Sequence, residues 1–202
     1  MTGRFAFGLL ILWFCAAVAS IVDPYDYKVW ATEMLMVFTI VVLLSATYRK
    51  LQFSKTSYFI IFCFLLVQTV GAHYTFERVP FFFNAAGRNN FDRFGHFVFG
   101  LNAFVVIEFL LKRKIASSFN LACVSAFFAV LVLSNTWRFF ELFYADIENG
   151  KSGDALLGMQ GDYWDAQKDM LCDIIGSAAA VYLFKTGQHF RKKKQTAASA
   201  EL

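Results

Sequence analysis

Six stretches of the chain are apolar over about the 20 residues that a helix needs to cross a bilayer. They cover residues 5–22, 30–48, 58–73, 92–111, 119–141 and 169–184. A helix is the element that satisfies every backbone group within one segment in lipid. The pattern therefore predicts an all-α polytopic membrane protein, a bundle of six transmembrane helices filling residues 1–190. A basic and then disordered tail is expected over 191–202. Pro24 and Pro80 fall between the stretches, where they break no helix ladder. The third and sixth stretches are short, so either they stand upright or their polar ends are buried in protein. The first stretch has a rival reading. Arg4, the apolar run and Ala17-Val18-Ala19 also have the form of a signal peptide. The run continues through Ile21 and Val22, which suits a retained helix better.

Composition narrows the class further. Of the 202 residues, 58% are hydrophobic and 17% are charged, with 26 Phe. Soluble domains carry about 25% charged residues, so an ordinary water-soluble enzyme, a disordered chain and a disulfide scaffold are all excluded. Cys15, Cys63, Cys123 and Cys172 sit one in each of four spans, without metal-ligand spacing, and read as small core residues that form no disulfide. Six spans put both termini on one side. That side carries Arg4, Arg49, Lys50, Lys55, Lys112, Arg113, Lys114, Lys185 and the run 191–194, which is 12 of the 19 Lys and Arg. The opposite loops hold six and Arg138 lies within the fifth span, so the positive-inside rule predicts cytoplasmic termini. The tail is expected to hold anionic lipid, with no nucleic-acid role. His189 within it is expected to be exposed.

The acidic residues show the reverse asymmetry. Of 15, only Glu108 and Glu201 lie on the terminal side. Glu108 has Lys112 four residues on and needs no further role. Following each span's direction gathers the other ionisable groups at one depth near the outer surface. Span two contributes Glu33, span three ends at His73, and span four opens with Asp92 and His96 one turn apart. Span five ends with Arg138 and Glu141. Span six opens with Asp169 and Asp173, a stripe that Asp165 extends if the helix begins early. Charges at membrane depth are costly and face the bundle interior in pairs. Two readings stay open for this cluster, a substrate or ion site and a set of structural ion pairs and helix caps.

The two long outer loops, 74–91 and 143–168, are of a length that covers or binds something. The first holds Val79-Pro80-Phe81-Phe82-Phe83, apolar enough to dip into the membrane interface, with Arg78, Arg88 and Arg93 nearby. Asp162 and Asp165 in the second match no calcium-loop spacing. No zinc-protease helix motif, nucleophile elbow or phosphate loop is present, and three His are too few for a haem or di-iron site.

The segments Gly71-Ala72-His73-Tyr74-Thr75, Asn90-Phe91-Asp92-Arg93-Phe94-Gly95-His96-Phe97 and Leu157 through Met170 resemble the YjdF-like family of bacterial inner-membrane proteins. So does Asp23-Pro24-Tyr25-Asp26 through Trp30 and Glu33. The resemblance covers nearly the whole chain and implies a location and a topology, but no reaction. The chain departs from the family pattern at one point. Arg138 stands where the family tends to carry the first of two Glu on span five, which counts against a two-Glu mechanism here. A fainter likeness is to the VanZ-like membrane proteins, whose order of Asp-x-x-x-His-Phe, Glu and an Asp-rich last helix is matched by Asp92…His96-Phe97, Glu141 and Asp169…Asp173…Gly176.

These residues support an expectation of a membrane-embedded hydrolase or transferase acting on a lipid or lipid-linked substrate, with membrane lipid as its partner. Asp92, His96, His73 and Glu141 are the candidate catalytic groups, with His96 as general base or metal ligand and Asp92 orienting it. Arg78, Arg88, Arg93 and Arg138 are candidates for the substrate's phosphate. His73, His96, Asp169 and Asp173 are candidate ligands for one divalent metal ion. The rival expectations are a small ion- or proton-coupled transporter and a structural membrane partner. The first is weakened by the lack of acids in the inner halves of the spans, Glu108 excepted.

Overall fold

The computed structural model describes residues 2–85, 87–148 and 151–200, with the side chains of all but 148, 151, 152 and 189–200. The helices are α1 (Thr2–Ser20), α2 (Tyr27–Thr47), α3 (Lys55–Tyr74), α4 (Phe91–Gly100), α5 (Ala103–Lys112), α6 (Phe119–Glu148), α7 (Lys151–Leu157) and α8 (Asp165–Ala200). Six helical rods are long and apolar enough to span a membrane, with α4 and α5 together forming the fourth. Among the described residues there is one isolated β-bridge, Phe83 to Asn89, and no longer strand.

Caps explain why the helices overrun the apolar stretches. Asp26 accepts from the Lys28 and Val29 amides at 2.8 and 3.1 Å and starts α2. Ser54 does the same for α3 through the Ser57 amide at 3.2 Å, adding polar turns that hydropathy leaves out. The third and sixth spans, short in the sequence pattern, are corrected to 20 and 24 residues, the third by its Ser54 cap and the sixth by a start as early as Asp165. Nothing in Leu142–Glu148 breaks a helix, so α6 continues past Glu141, and α7 fills part of the outer segment expected to be loop. Lys, Arg, Gln and Ala are good helix formers, and α8 runs on through them to Ala200. The side chains of His189 and of the basic run 191–194 lie outside the described residues.

The fourth span is bent where the sequence predicts one continuous helix. At Leu101–Asn102 the bonding tightens to Asn102 N–H to Phe99 O, 2.9 Å, and Val105 N–H to Asn102 O, 2.9 Å. The Asn102 amide donates to Val98 O and Phe99 O at 3.3 and 3.1 Å, which satisfies carbonyls at the bend.

Two helices are central. α3 packs against α1, α2, α4 and α5, and α8 packs against α4, α5 and α6, while α7 lies on α6 and reaches α2. On α6 a buried line recurs about every fourth residue, Ala122, Ala126, Val130, Ser134 and Glu141, with half-buried Arg138 in register. On α8 the line is Asp165, Asp169, Asp173, Gly176, Ser177 and Ala180. Both lines are small or apolar toward the terminal end of the bundle and polar toward the other. The outer surfaces carry exposed Phe7, Leu12, Leu35, Val42, Phe128 and Val132, as lipid contact requires.

α4 and α8 meet backbone to backbone. A Cβ on Gly100 would lie 2.4 Å from Asp173 O, and one on Gly176 would lie 2.2 Å from Phe97 O. Such small-residue crossings are how membrane helices approach most closely. His96 is one turn above Gly100 and Asp173 is one turn above Gly176, so this crossing brings their side chains together.

Each end of the bundle is tied by polar contacts. At the terminal end Glu108 accepts from Lys112 Nζ (2.6 Å), Ser54 N (2.7 Å), Ser54 Oγ (2.7 Å) and Ser57 Oγ. It therefore does more than pair with Lys112, because it also closes the N-terminus of α3, where a carboxylate suits the exposed amides and the dipole. At the other end Trp13 Nε1 donates to Thr69 Oγ1 (3.1 Å) and Trp30 Nε1 to Ser20 Oγ (3.0 Å). An apolar groove of about 490 Å³ between α1, α2 and α3 holds no charged side chain and stands apart from the ionisable cluster.

Candidate functional site

The cluster is centred on Arg138. Its Nη1 donates to Glu141 Oε2 at 3.2 Å, and its Nη2 lies against Asp92 Oδ2 (3.4 Å), His96 Nε2 (2.7 Å) and Asp169 Oδ2. α4, α6 and α8 thus converge on one guanidinium. His96 Nδ1 faces both oxygens of Asp173 at 3.1 and 3.2 Å, and Ser134 Oγ donates to Asp173 Oδ2 at 2.6 Å. Arg138 can only donate, so His96 Nε2 accepts from it and the ring proton sits on Nδ1, given to Asp173. Asp92 Oδ1 is 3.8 Å from Nε2. The carboxylate that fixes the imidazole is therefore Asp173, and not Asp92, the partner expected one turn away on the same helix.

Next to this cluster lies a cavity of about 470 Å³. Its polar lining comes from Glu33, Gln68, Asp92, His96, Ser134, Thr136 and Glu141, and its apolar walls include Met36, Ile40, Phe64, Phe76, Phe99, Leu133, Trp137, Phe140 and Leu156. Glu33 is 2% exposed, and its Oε2 has no hydrogen-bond partner. Asp169 Oδ1 is likewise buried and unpaired.

The charges do not balance. Glu33, Asp92, Glu141, Asp169 and Asp173 make five carboxyl groups around one permanent cation, Arg138. A proton on His96 would add one positive charge. At least three carboxyl groups are left without a fixed counter-charge. At membrane depth an isolated Asp already costs about 2.5–3.5 kcal/mol on insertion scales, so protons or a bound cation must meet the difference.

The other expected site residues are placed as follows. His73 stands apart from the cluster. Its Nδ1 donates to Ser20 O at 3.0 Å and its backbone carbonyl accepts from Tyr25 N at 2.9 Å, which ties α3 to the α1–α2 turn. Arg88 binds Asp165 and Met159 O, the latter at 2.7 Å, and Arg93 binds Asp162 at 2.6 Å and Asp165 at 3.4 Å. These two arginines clasp the outer loops together, and their charges are met by carboxylates. Gln160 completes the clasp, accepting from Asn89 N (2.8 Å) and donating to Asn89 O (3.0 Å). Arg78 lies over the Tyr25 ring at 4.0 Å and pairs with Glu77 at 3.3 Å. In the loop, Lys168 above all, with the Trp164 amide and Arg93, holds the Asp162 carboxyl down at about 2.

One oxygen each of Asp92 and Asp169 and one nitrogen of His96 lie within 4.8 Å of one another, a spacing that suits a metal ion. This trio differs from the expected set, since His73 is elsewhere and Asp173 is bonded to the far nitrogen of His96. Arg138 Nη2 contacts all three residues. Sequence reasoning passed over Ser134 and Gln68 and assigned Glu33 no role. The signal for Ser134 was its place one turn before Arg138, on the same face of the helix.

Fold and site together define a multi-pass helical membrane protein with a partly apolar cavity set against a buried ionisable cluster. Residues 5–189 match a family described as "Predicted membrane protein (DUF2238)", and the chain belongs to that family. It is 32% identical over 186 residues to the inner membrane protein YjdF of Escherichia coli (strain K12), covering 86% of this chain and 85% of that protein. No solved structure matches the chain.

Proposed function

We propose that this protein is a bacterial inner-membrane hydrolase or transferase acting on a lipid or lipid-linked substrate, with His96 as its base. The observation that carries the reading is the held imidazole. Asp173 and Ser134 fix the Nδ1 side of His96, while the ring itself lines a cavity with apolar walls. A base fixed through one nitrogen and presented to a water-poor pocket has the geometry that general-base catalysis uses. The apolar walls would take the lipid chain, and Nε2 would take a proton from water or an acceptor hydroxyl once Arg138 yields it. Glu141, held on the same guanidinium, would donate a proton to a leaving group, and Asp92 would steady the imidazole once it is protonated. The cytoplasmic side holds the termini in this reading, so the cavity opens toward the extracytoplasmic half of the membrane. The transporter reading gains no support, because Glu108, the acid at the opposite end, is fully engaged by Ser54, Ser57 and Lys112.

The test is to reconstitute the full-length protein in vesicles of total bacterial lipid and follow every lipid species by mass spectrometry. Wild type should consume a lipid and accumulate a product, and His96→Asn should abolish this while helix content and Tm hold. A wild type that alters no lipid species, in a preparation with native thermal unfolding, sinks the enzyme reading.

A further inference from the structure

We propose that the cavity recognises an ammonium group carried on an apolar stem, with Glu33 as the residue that selects it. The proposal rests on the preceding reading only in taking the cavity as the place where a substrate sits.

Glu33 comes from α2, a helix that contributes no member to the ion-paired centre on α4, α6 and α8. It lines the cavity, is 98% buried, and has a carboxyl oxygen with no partner. Leaving such a group unmet costs several kcal/mol at membrane depth, so a protein retains it where a proton or ligand satisfies it. The two other carboxyl groups lining the cavity, Asp92 and Glu141, lie close enough for their charges to act on Glu33. An anionic headgroup would face all three. The cation within reach is Arg138, whose guanidinium is already bonded to Glu141, Asp92, Asp169 and His96. A neutral headgroup would leave the charge imbalance as it stands. An ammonium group would pair with Glu33 and reduce the excess. The rings of Phe64, Phe76, Phe99 and Phe140 in the same walls add the faces that attract a cation. The remaining apolar wall is Trp137 and aliphatic side chains, and about 470 Å³ lies within the range of about 300–1,000 Å³ of small-molecule sites. A headgroup amine on a membrane lipid and a free long-chain amine present the same chemistry.

The experiment measures thermal stabilisation of the full-length protein in neutral maltoside micelles. The probes are dodecylamine, dodecanol and dodecanoate, together with two lysophospholipids that differ only in an ethanolamine or a glycerol headgroup. Wild type should gain Tm saturably with dodecylamine or with the ethanolamine lipid, and not with dodecanol, dodecanoate or the glycerol lipid. Stabilisation by the ethanolamine lipid alone identifies a lipid headgroup as the source, and stabilisation by dodecylamine alone identifies a free amine. Glu33→Gln should weaken the response at least tenfold, and Glu33→Asp, which keeps the charge, should recover part of it. Equal stabilisation by the alcohol or the carboxylate, an unchanged response in Glu33→Gln, or no response to either amine overturns the proposal. Amine binding is read on the wild-type protein in micelles, independently of lipid turnover. Amine selectivity without lipid turnover therefore counts against the enzyme reading alone, and turnover without amine selectivity counts against this inference alone.

Discussion

Arg138 sits among three side chains that have the spacing of a metal site. Asp92, His96 and Asp169 would offer a small divalent ion two oxygens and a nitrogen, but Nη2 of the chain's own guanidinium already touches all three. Metal and Arg138 therefore compete for one position. Arg138→Gln should bind about one equivalent of Co²⁺ or Zn²⁺ and give the absorption of a low-coordinate Co²⁺ centre, while wild type binds none. Without metal the variant should be destabilised by about 3–5 kcal/mol, the usual result of stripping a buried charge of its partner, and the ion should restore part of that. Stoichiometric metal in purified wild type would overturn the prediction. A different residue pair shows what the sequence left hidden. Asp92 and His96, four apart, were legible as neighbours, yet His96 is held by Asp173, 77 residues away. Spacing along one helix reveals which residues share a face. It cannot reveal which face a distant helix will meet.

Elements supply that missing information, chiefly through glycine. Gly100 and Gly176 let α4 and α8 touch, and one turn above the contact the imidazole and carboxylate fall into register. Gly176→Ala places a methyl 2.2 Å from a backbone oxygen that cannot swing aside. The helices must part, at a cost of about 1–3 kcal/mol for an overpacked site. Gly8→Ala meets nothing within 4 Å and gains helix propensity, so it should leave Tm unchanged or raise it slightly. Equal Tm values for the two variants would refute the tight crossing. The loop clasp makes a separate prediction. The Asp162 carboxyl is held at about 2, below its ordinary 3.8. A depressed carboxyl stabilises the fold above 3.8 and loses that effect as pH falls through about 2. Hydrogen exchange over residues 158–164 should stay slow, after correction for intrinsic rates, until pH approaches 2. In Asp162→Asn it should be fast already at neutral pH. A wild-type transition near the ordinary carboxylate value would show that the clasp does not hold this group. The existence of six spans was legible because each needs a long apolar run. Their ends and the bend at Asn102 were not, because caps and single side-chain bonds set them.

At the scale of the whole molecule, charge and chemistry separate along the bundle. The end that carries the termini holds 12 of the 19 Lys and Arg, and the other end holds nearly all the acids, the clasped loops and the cavity. The depth of the acidic cluster was legible for this reason. Its internal pairing was not, since that depends on how α4, α6 and α8 pack. The same separation makes orientation testable. Each basic residue retained near the cytoplasmic face of an anionic membrane is worth about 1 kcal/mol, so an excess of six strongly favours cytoplasmic termini. A fluorescent protein fused to the C-terminus should fold and emit, and alkaline phosphatase fused there should be inactive. Labelling gives an independent readout, because Cys15, Cys63, Cys123 and Cys172 all lie within helices and leave the loops free of thiols. Met159→Cys, at a half-exposed loop position beside the clasp, should react in intact cells with a maleimide that does not cross the membrane. Protection of that cysteine, together with active phosphatase at the C-terminus, would invert the molecule. The cavity would then open toward the cytoplasm, and the search for its amine-bearing ligand would move to that side of the membrane.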